Sequence, residues 1–408
     1  MKNFNKGERY VLFCLAAIFF THAMDFMIVM PLGPQFMRAF QVRADDFGLL
    51  VSSYTFSAGI TNLAAAFILD RFSRKGALLT CYFGHTLATI LSGLAPTHDT
   101  FMMSRILAGG FGGLIAALVF SYIGDVFPTS RRGAATGIVM SAFSMSSVIG
   151  VPFGLFLANW RGWQFPFLFL SFLGFLIFIV SYFHLPSILP TPKSARESAW
   201  KNFTYIVKDF NHWKSFSFMF VMMMAGFTII PFVSPSLVSN AGVLESELPL
   251  IYMFGGGLTL FTSPWFGRLS DRYGGIKVFT VIATLSIIPI LLVTQLVPGS
   301  LYFTLIVTTL FMSLVSGRMV PAMTVVQNAV TPSRRGAFMS VNSAIQQLSA
   351  GVATYLASKM ILQEGNRLVH YDRVGYVAAI ATVLSIGIIW RIQYRDQGQV
   401  KKEVAHGS

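Results

Sequence analysis

Long apolar segments alternate with short polar ones along nearly the whole chain. A helix that crosses a membrane needs about 20 mostly apolar residues, and such segments recur six times before a polar, basic stretch and six times after it. Numbered as spans 1 to 12 in chain order, the predicted membrane helices lie at residues 10–32, 47–69, 76–95, 100–124, 134–157, 164–185, 215–239, 249–267, 277–297, 301–328, 337–360 and 374–391.

The basic stretch in the middle divides the spans into two groups of six. We therefore predict an all-α membrane protein with an N-terminal six-helix bundle at 1–185 and a C-terminal one at 215–392. The stretch at 186–214 is predicted to be a cytoplasmic linker, and 393–408 a cytoplasmic tail.

Two short loop sequences are repeated between the halves. Asp70-Arg71 follows span 2 and Asp271-Arg272 follows span 8, while Ser-Arg-Arg-Gly precedes span 5 at 130–133 and span 11 at 333–336. Both repeats share an offset of about 200 residues, which indicates a duplicated six-helix unit. Such pseudo-symmetric halves are typical of carriers that rock around a site at the membrane midplane.

The composition agrees with a bilayer as solvent, because 54% of the 408 residues are hydrophobic and 11% are charged. A net charge of +14 would suit nucleic acid if it covered one face of a soluble fold. Here the basic residues fall in short loops between spans. We therefore expect no nucleic-acid partner.

The distribution of Lys and Arg predicts the orientation. Of these 30 residues, 22 fall on the side of the N-terminus, six on the opposite side, and two, Arg105 and Arg318, inside spans. Positively charged loops stay in the cytoplasm. We expect a multi-pass monomer in the bacterial inner (plasma) membrane, surrounded by lipid, with both termini cytoplasmic.

The loops after spans 2 and 8 carry a recognisable motif. Asp271 and Arg272 lie in Gly-Arg-Leu-Ser-Asp-Arg-Tyr-Gly-Gly, and Asp70, Arg71 and Arg74 lie in Asp-Arg-Phe-Ser-Arg-Lys. Both sequences resemble the loop signature of the major facilitator superfamily, a resemblance that covers essentially the whole chain. It implies twelve transmembrane helices in two pseudo-symmetric bundles and transport by alternating access.

These charged loop residues are candidates for gating. A carboxylate at a helix end can accept bonds from a neighbouring helix N-terminus while arginines bridge to adjacent loops, which would latch the halves together on the cytoplasmic side. The alternative is plain positive-inside charge. The first-half copy departs from the family pattern at Ala66 and Ser73, where glycine is usual.

Spans 4 and 5 resemble one branch of the superfamily more closely. Arg105 lies in Arg-Ile-Leu-Ala-Gly-Gly, similar to the buried-arginine motif, and Gly150, Pro152 and Gly154 lie in Gly-Val-Pro-Phe-Gly. This run resembles drug:proton antiporters of the arabinose-efflux-permease type, although Gln164 replaces an arginine that usually follows. In that family the run is associated with exporters, where small residues let helices of opposite halves approach; ordinary helix packing is the alternative.

Ionisable groups inside the bilayer are costly and therefore point to function. Asp25 in span 1 and Arg105 in span 4 are predicted at depths of roughly 10 and 8 Å, so they can pair if their helices are neighbours. His22 is expected on the same face as Asp25. We predict a proton-coupling site in which Asp25 binds and releases a proton; the alternative is a permanent salt bridge.

Arg318 is predicted about 17 residues into span 10, with no acid at similar depth in the second half. Two interpretations remain open. Arg318 neutralises an anionic substrate or a lipid phosphate, or it bonds to helix carbonyls and nearby amide side chains as a structural cation.

Uncharged polar side chains can orient a ligand without the cost of burying charge. Span 2 offers Tyr54, Ser57 and Thr61, and span 11 offers Asn342 and Gln346 on one helix face. We treat them as candidate substrate-binding residues, with hydrogen bonding between helices as the alternative for each.

Nucleotide-binding glycine loops and zinc-ligand spacings are missing from the sequence, so we expect no enzyme activity and no cofactor. The leading hypothesis is a secondary active transporter that exports small organic or amphiphilic compounds in exchange for protons. The alternatives are uptake, or export of a specific anionic metabolite or lysolipid, and more remotely a non-transporting membrane sensor.

Overall fold

The computed structural model describes residues 4–68, 72–187, 204–331, 335–365 and 367–394. In the N-terminal half, spans 1, 2, 3 and 6 are single helices, Lys6–Ile28, Ala44–Ile68, Arg74–Gly93 and Gln164–His184. Span 4 consists of His98–Gly112 and Ile115–Val126. Span 5 consists of Thr129–Met145, a π-helical turn Ser146–Gly150, and Val151–Arg161. A short helix, Gly33–Phe40, joins spans 1 and 2.

The C-terminal half follows the same plan. Spans 8, 9, 11 and 12 are single helices, Leu248–Tyr273, Gly275–Thr294, Arg335–Met360 and Tyr371–Ile389. Span 7 consists of Phe210–Phe227, a 3-10 turn Ile230–Phe232, and Val233–Ser239. Span 10 consists of Leu301–Gly317 and Met319–Asn328. A 3-10 turn, Glu245–Glu247, precedes span 8. Strands Leu362–Glu364 and Arg367–Val369 form an antiparallel hairpin between spans 11 and 12. Span 7 begins at Phe210, inside the predicted linker.

Local sequence explains several helix ends and breaks. Span 1 starts with a capping box in which the Asn5 side chain accepts from the Glu8 N–H at 2.8 Å and Glu8 accepts from the Asn5 N–H at 2.9 Å. Span 4 breaks after Gly112, span 10 breaks at Arg318 before a proline-containing turn, and Pro152 follows the π-helical turn of span 5.

Among the described residues, eight spans are long and apolar enough to cross a membrane by length and composition alone, namely spans 1, 4, 5, 6, 7, 9, 10 and 12. Spans 2, 3, 8 and 11 do not meet this criterion. Three of these four, spans 2, 8 and 11, form the contacts between the halves together with span 5, where lipid does not demand an apolar surface.

Helix neighbours repeat between the halves. Within the first half, span 1 packs against spans 5 and 6, span 2 against span 4, and span 3 against span 6. The equivalent pairs recur in the second half, where span 7 packs against spans 11 and 12, span 8 against span 10, and span 9 against span 12. The two bundles meet where span 2 packs along span 11 and span 5 packs against span 8. The predicted pair of pseudo-symmetric six-helix bundles is confirmed.

The two ends of the molecule pack differently. We call the end with residues 33–43 and 361–370 the hairpin face, and the end with residues 4–9, 204–214 and 391–394 the terminal face. Towards the hairpin face one apolar core combines both halves, and it includes Phe36, Phe47 and Phe101 with Phe232, Leu237 and Tyr371.

Towards the terminal face the halves have separate cores. Leu12, Tyr82 and Tyr122 belong to the first, and Phe216 and Phe279 to the second. The structure is therefore closed at the hairpin face, and the described residues near the terminal face form no apolar core common to both halves.

Candidate functional site

Asp25 and Arg105 form a two-pronged ion pair between spans 1 and 4. Arg105 Nη1 donates to Asp25 Oδ1 at 3.2 Å and Nη2 donates to Oδ2 at 2.9 Å. Each side chain is 1% exposed. The contact expected from their matching depths is present, and the parallel donor geometry suits a carboxylate.

Glycines of span 4 bring the arginine to this position. A Cβ at Gly109 would lie 2.3 Å from the Tyr54 carbonyl oxygen, and one at Gly113 would lie 2.8 Å from Ala58 Cα. Only glycine permits this approach of span 4 to span 2. Arg105 lies one turn before Gly109, and its Cζ is 4.9 Å from the centre of the Tyr54 ring, where the ring face attracts the cation.

Span 3 supplies two further groups that the sequence analysis missed. Thr89 Oγ1 donates to Asp25 Oδ1 at 3.1 Å, and His85 Nε2 lies 3.7 Å from Asp25 Oδ2. His85 is 3% exposed and Thr89 is also buried. The rule that singled out Asp25, an ionisable side chain inside a span, applies equally to His85 and would have found it.

His22 has a different neighbour from the one predicted. It makes no ion pair within 4 Å of Asp25 among the described contacts; its ring centre lies 5.1 Å from that of His85 in an edge-to-face arrangement. One helical turn separates His22 from Asp25, but the side chain is directed towards span 3. His85 therefore contacts the ring of His22 and also lies beside the carboxylate.

A small cavity adjoins this cluster. The space available to the centre of a water molecule is about 10 Å³, close to what one water requires. It is lined by polar and small side chains of spans 1, 3 and 6, namely Thr21, Asp25, Tyr82, His85, Thr86, Thr89, Leu170 and Gly174.

The candidate residues of span 2 lie beside span 4. Tyr54 stacks on Arg105, and its hydroxyl is buried without a described partner. Ser57 donates to the carbonyl of Ile106 at 2.7 Å, and Thr61 donates to the carbonyl of Ser57 at 2.8 Å. The hydroxyls of Ser57 and Thr61 are therefore engaged with backbone.

The candidate residues of span 11 make few polar contacts with described residues. Asn342 is fully buried, and neither its amide nitrogen nor its amide oxygen has a hydrogen-bond partner among the described residues. Gln346 Nε2 lies 4.0 Å from Met323 Sδ, which is a weak acceptor. Among the described contacts, none joins Asn342 or Gln346 to Arg318.

Arg318 lies at the break in span 10 and is 2% exposed. Its Nη1 donates to Thr382 Oγ1 of span 12 at 3.1 Å. A Cβ at Gly226 of span 7 would lie 3.7 Å from Nη2. The described residues place no carboxylate within 4 Å of this guanidinium, in contrast to Arg105.

The predicted gating residues fall into three groups. Asp70 and Arg71 lie outside the described residues. Arg74 pairs with Asp125 of span 4 at 3.1 Å, within its own half. Asp271 and Arg272 are exposed at the terminal face, and Asp271 has no ion pair with a described residue.

The small residues of span 5 do not serve the contact that the resemblance implied. A Cβ at Gly150 would lie 3.1 Å from Met24 Sδ, and one at Gly154 would lie 2.8 Å from Ile28 Cδ1, so both glycines of the Gly-Val-Pro152-Phe-Gly run pack on span 1 of their own half. In this conformation the two glycines therefore serve packing within the first half, which is the alternative stated for them above.

Other glycines bring the halves together. A Cβ at Gly256 of span 8 would lie 3.1 Å from the Ser147 carbonyl of span 5. Gly48 and Gly59 of span 2 and Gly351 of span 11 make comparable close approaches between spans 2 and 11. The reason is the rotation of span 5, which places Ser147 and Val148 of the π-helical turn towards span 8 and Gly150 and Gly154 towards span 1.

The family profile of the Major Facilitator Superfamily matches residues 15–354 and 216–406, which together span most of the chain. This chain belongs to the major facilitator superfamily. Its members are non-enzymatic carriers, and the fold and the transport class expected from the loop motifs are thereby confirmed. In the described part of the carrier, no three His, Cys, Asp or Glu side chains come together as a metal site would require.

Relatives of known sequence span nearly the whole carrier. The uncharacterized MFS-type transporter YceJ of Bacillus subtilis (strain 168) is 24% identical over 94% of this chain and 96% of the relative. Multidrug resistance protein 2 of the same organism is 23% identical over 97% of this chain and 99% of the relative.

Solved structures share the fold. A bacterial homologue of the human lysosomal transporter Spinster, in an inward-facing and unoccupied conformation, superposes with a TM-score of 0.74 at 15% identity, covering 96% of this chain and 100% of that one. A D-xylose–proton symporter gives a TM-score of 0.73 at 15% identity, covering 94% and 97%.

Proposed function

We propose that this carrier exports small organic or amphiphilic compounds from the bacterial cytoplasm in exchange for protons. Asp25 binds the coupling proton, and the two halves alternate in opening to each side of the inner membrane. A multidrug resistance protein among the full-length relatives supports export of this class of compound.

The orientation is part of the proposal. Because the terminal face carries most of the Lys and Arg residues of the loops, it faces the cytoplasm. Closure at the hairpin face then corresponds to an inward-facing state, from which substrate is loaded. The exposed Asp271 and Arg272 belong to a loop latch that forms when the terminal face closes.

The observation that carries the proposal is the environment of Asp25. Its carboxylate is almost completely buried and held by Arg105 and Thr89, with a water-sized cavity beside it. Protonation removes the negative charge and weakens the bond to Arg105, which loosens the contact between spans 1 and 4. Proton binding is thereby coupled to helix packing.

An everted-vesicle assay tests this role. Vesicles from cells producing the carrier are acidified inside with ATP, acidification is followed by quenching of an acridine dye, and ethidium and related lipophilic cations are added. In the wild type an exported compound should reverse the quenching, because protons leave as the compound enters. Asp25→Asn should abolish this reversal, whereas Asp99→Asn, at an exposed carboxylate near the hairpin face, should retain it.

Counterflow of ethidium without a proton gradient distinguishes loss of coupling from loss of folding. The amide introduced by Asp25→Asn resembles a protonated carboxyl group, so exchange across liposomes should persist in this variant. Full proton-driven transport in the same variant would refute Asp25 as the proton site.

Arg318 supports a second candidate function, transport of an anionic amphiphile or metabolite. A buried guanidinium without a described carboxylate partner can receive a carboxylate or phosphate from a ligand. The direction of transport would be the same.

A further inference from the structure

His85 has one ring nitrogen committed to the backbone. Its Nδ1 lies 3.2 Å from the carbonyl oxygen of Ala108 in span 4. A carbonyl oxygen only accepts, so Nδ1 must carry the hydrogen of this bond. In the neutral ring, Nε2 is then unprotonated and acts as an acceptor.

This acceptor faces another one. His85 Nε2 has no hydrogen-bond partner and lies 3.7 Å from Asp25 Oδ2. A carboxylate oxygen and an imidazole lone pair cannot bond to each other. The two atoms lie about 0.7 Å beyond hydrogen-bond distance. A proton bound by one of them can therefore be shared with the other after a small approach of the side chains, or through a water in the adjoining cavity.

The other groups around the carboxylate do not fill this position. Arg105 donates to both carboxylate oxygens, and Thr89 donates to Oδ1. The remaining titratable neighbours are His22, Tyr54 and Tyr82. None of them makes a hydrogen bond to Nε2 among the described residues.

We propose that the coupling proton is held jointly by Asp25 Oδ2 and His85 Nε2. This inference rests on the proposed function, and it makes His85 a second acceptor for the same proton. The proton comes from water on the side to which the carrier is open and returns to water on the other side. No covalent bond besides those to this proton forms or breaks, and the net charge of the cluster rises by one while it is bound.

The tautomer of His85 is the first test. The full-length carrier, with ring nitrogens of histidine labelled with ¹⁵N, is examined by NMR in lipid nanodiscs at a pH where the transport proton is absent. The His85 signals are identified by their loss in His85→Gln or, should that variant not accumulate, by elimination through substitution of the other histidines. We expect the Nδ1–H tautomer at alkaline pH and a change at Nε2 on acidification. An Nε2–H tautomer at alkaline pH would overturn the proposal.

The pH profile of ethidium-driven proton release is the second test. Removing one acceptor weakens binding of the proton, so His85→Gln should shift the midpoint of the profile by about one pH unit towards acid, as loss of one hydrogen bond to a charged group implies. The control is His184→Gln, at an exposed histidine, which should leave the midpoint unchanged.

The two proposals fail in different ways. If Asp25→Asn still transports by exchange for protons, the proposed function is wrong. If Asp25→Asn is uncoupled but His85→Gln keeps the wild-type midpoint, Asp25 carries the proton alone and only the shared site is refuted.

Discussion

Arg105 and Arg318 are both almost fully buried, but the compensation for their charge differs. Arg105 has a carboxylate and an aromatic face. Arg318 has the Thr382 hydroxyl, and no described carboxylate lies within 4 Å. A neutral hydroxyl balances a buried cation poorly. Of these two buried cations, Arg318 is therefore the one that an anionic ligand would stabilise more.

This contrast predicts the effect of Arg318→Ala on ligand binding. Lysophosphatidylglycerol should raise the melting temperature of the wild-type carrier more than lysophosphatidylcholine does. Arg318→Ala should weaken binding of the anionic lysolipid about tenfold or more, the loss expected for a charged hydrogen bond, and Arg318→Lys should retain part of it. Thr382→Val, which keeps the cation, is the matched control. Unchanged affinity combined with low protein yield would show that Arg318 is structural.

The pairing of Asp25 with Arg105 could be predicted from sequence because depth in the membrane follows from position in a span. The bonds from Thr89 and His85 could not, because they depend on how span 3 is rotated and how closely it approaches span 1. Asn342 illustrates the same limit: its place on a polar helix face was evident, but its complete lack of described partners was not.

At the scale of helices, the alternation of apolar and polar segments located all twelve spans, although only eight of them, among the described residues, are apolar enough to be recognised by length and composition alone. It did not reveal that spans 4, 5, 7 and 10 are interrupted. The breaks coincide with glycine or proline, at Gly112, Pro152, Pro231 and near Pro321, but glycine and proline also occur in unbroken membrane helices. Whether they interrupt a helix depends on the neighbours that satisfy the backbone.

Span 8 offers a sharp test of contact between the halves. A Cβ at Gly256 would lie 3.1 Å from the Ser147 carbonyl and 3.2 Å from Val148 Cα, whereas a Cβ at Gly257 would meet nothing within 4 Å. Gly256→Val should lower the stability of the hairpin-face-closed state by about 1–3 kcal/mol, the usual cost of overpacking. Gly257→Val should have little effect. Thermal unfolding of both variants checks this, and equal melting temperatures would contradict the close contact.

At the scale of the whole molecule, the hairpin face is held closed by an apolar core and by ion pairs between the halves. Arg38 forms a two-pronged pair with Glu245, with Nη2 donating to Oε2 at 2.8 Å. The bond that Arg38 donates to the Glu245 carboxylate raises the pKa of its guanidinium. A second pair joins Lys359 Nζ to Asp45 Oδ2 at 3.8 Å. Both cross from one half to the other.

Breaking the first pair should favour opening of the hairpin face. In Glu245→Gln we expect a cysteine introduced at Ala241, which is buried in the core that joins the halves, to react up to about fivefold faster with a membrane-impermeant maleimide, since an exposed pair contributes at most about 1 kcal/mol. Glu247→Gln, which keeps the acceptor for the Leu244 N–H, is the control. High salt should accelerate labelling of the same cysteine in the otherwise wild-type carrier. A rate that responds to neither change would exclude the ion pair as part of the closure.

The apolar core that the two halves share at the hairpin face also affects how readily the empty carrier opens. When the hairpin face opens, aromatic side chains such as Phe47 and Phe232, now fully covered, become walls in contact with water. Wetting such walls is unfavourable in proportion to their area, and an amphiphile passing between them reduces the wetted area. We therefore expect the closed hairpin face to be favoured more strongly in an empty carrier than in a loaded one. Under the proposed exchange for protons, the apolar lining would then oppose cycles that dissipate the proton gradient without moving substrate.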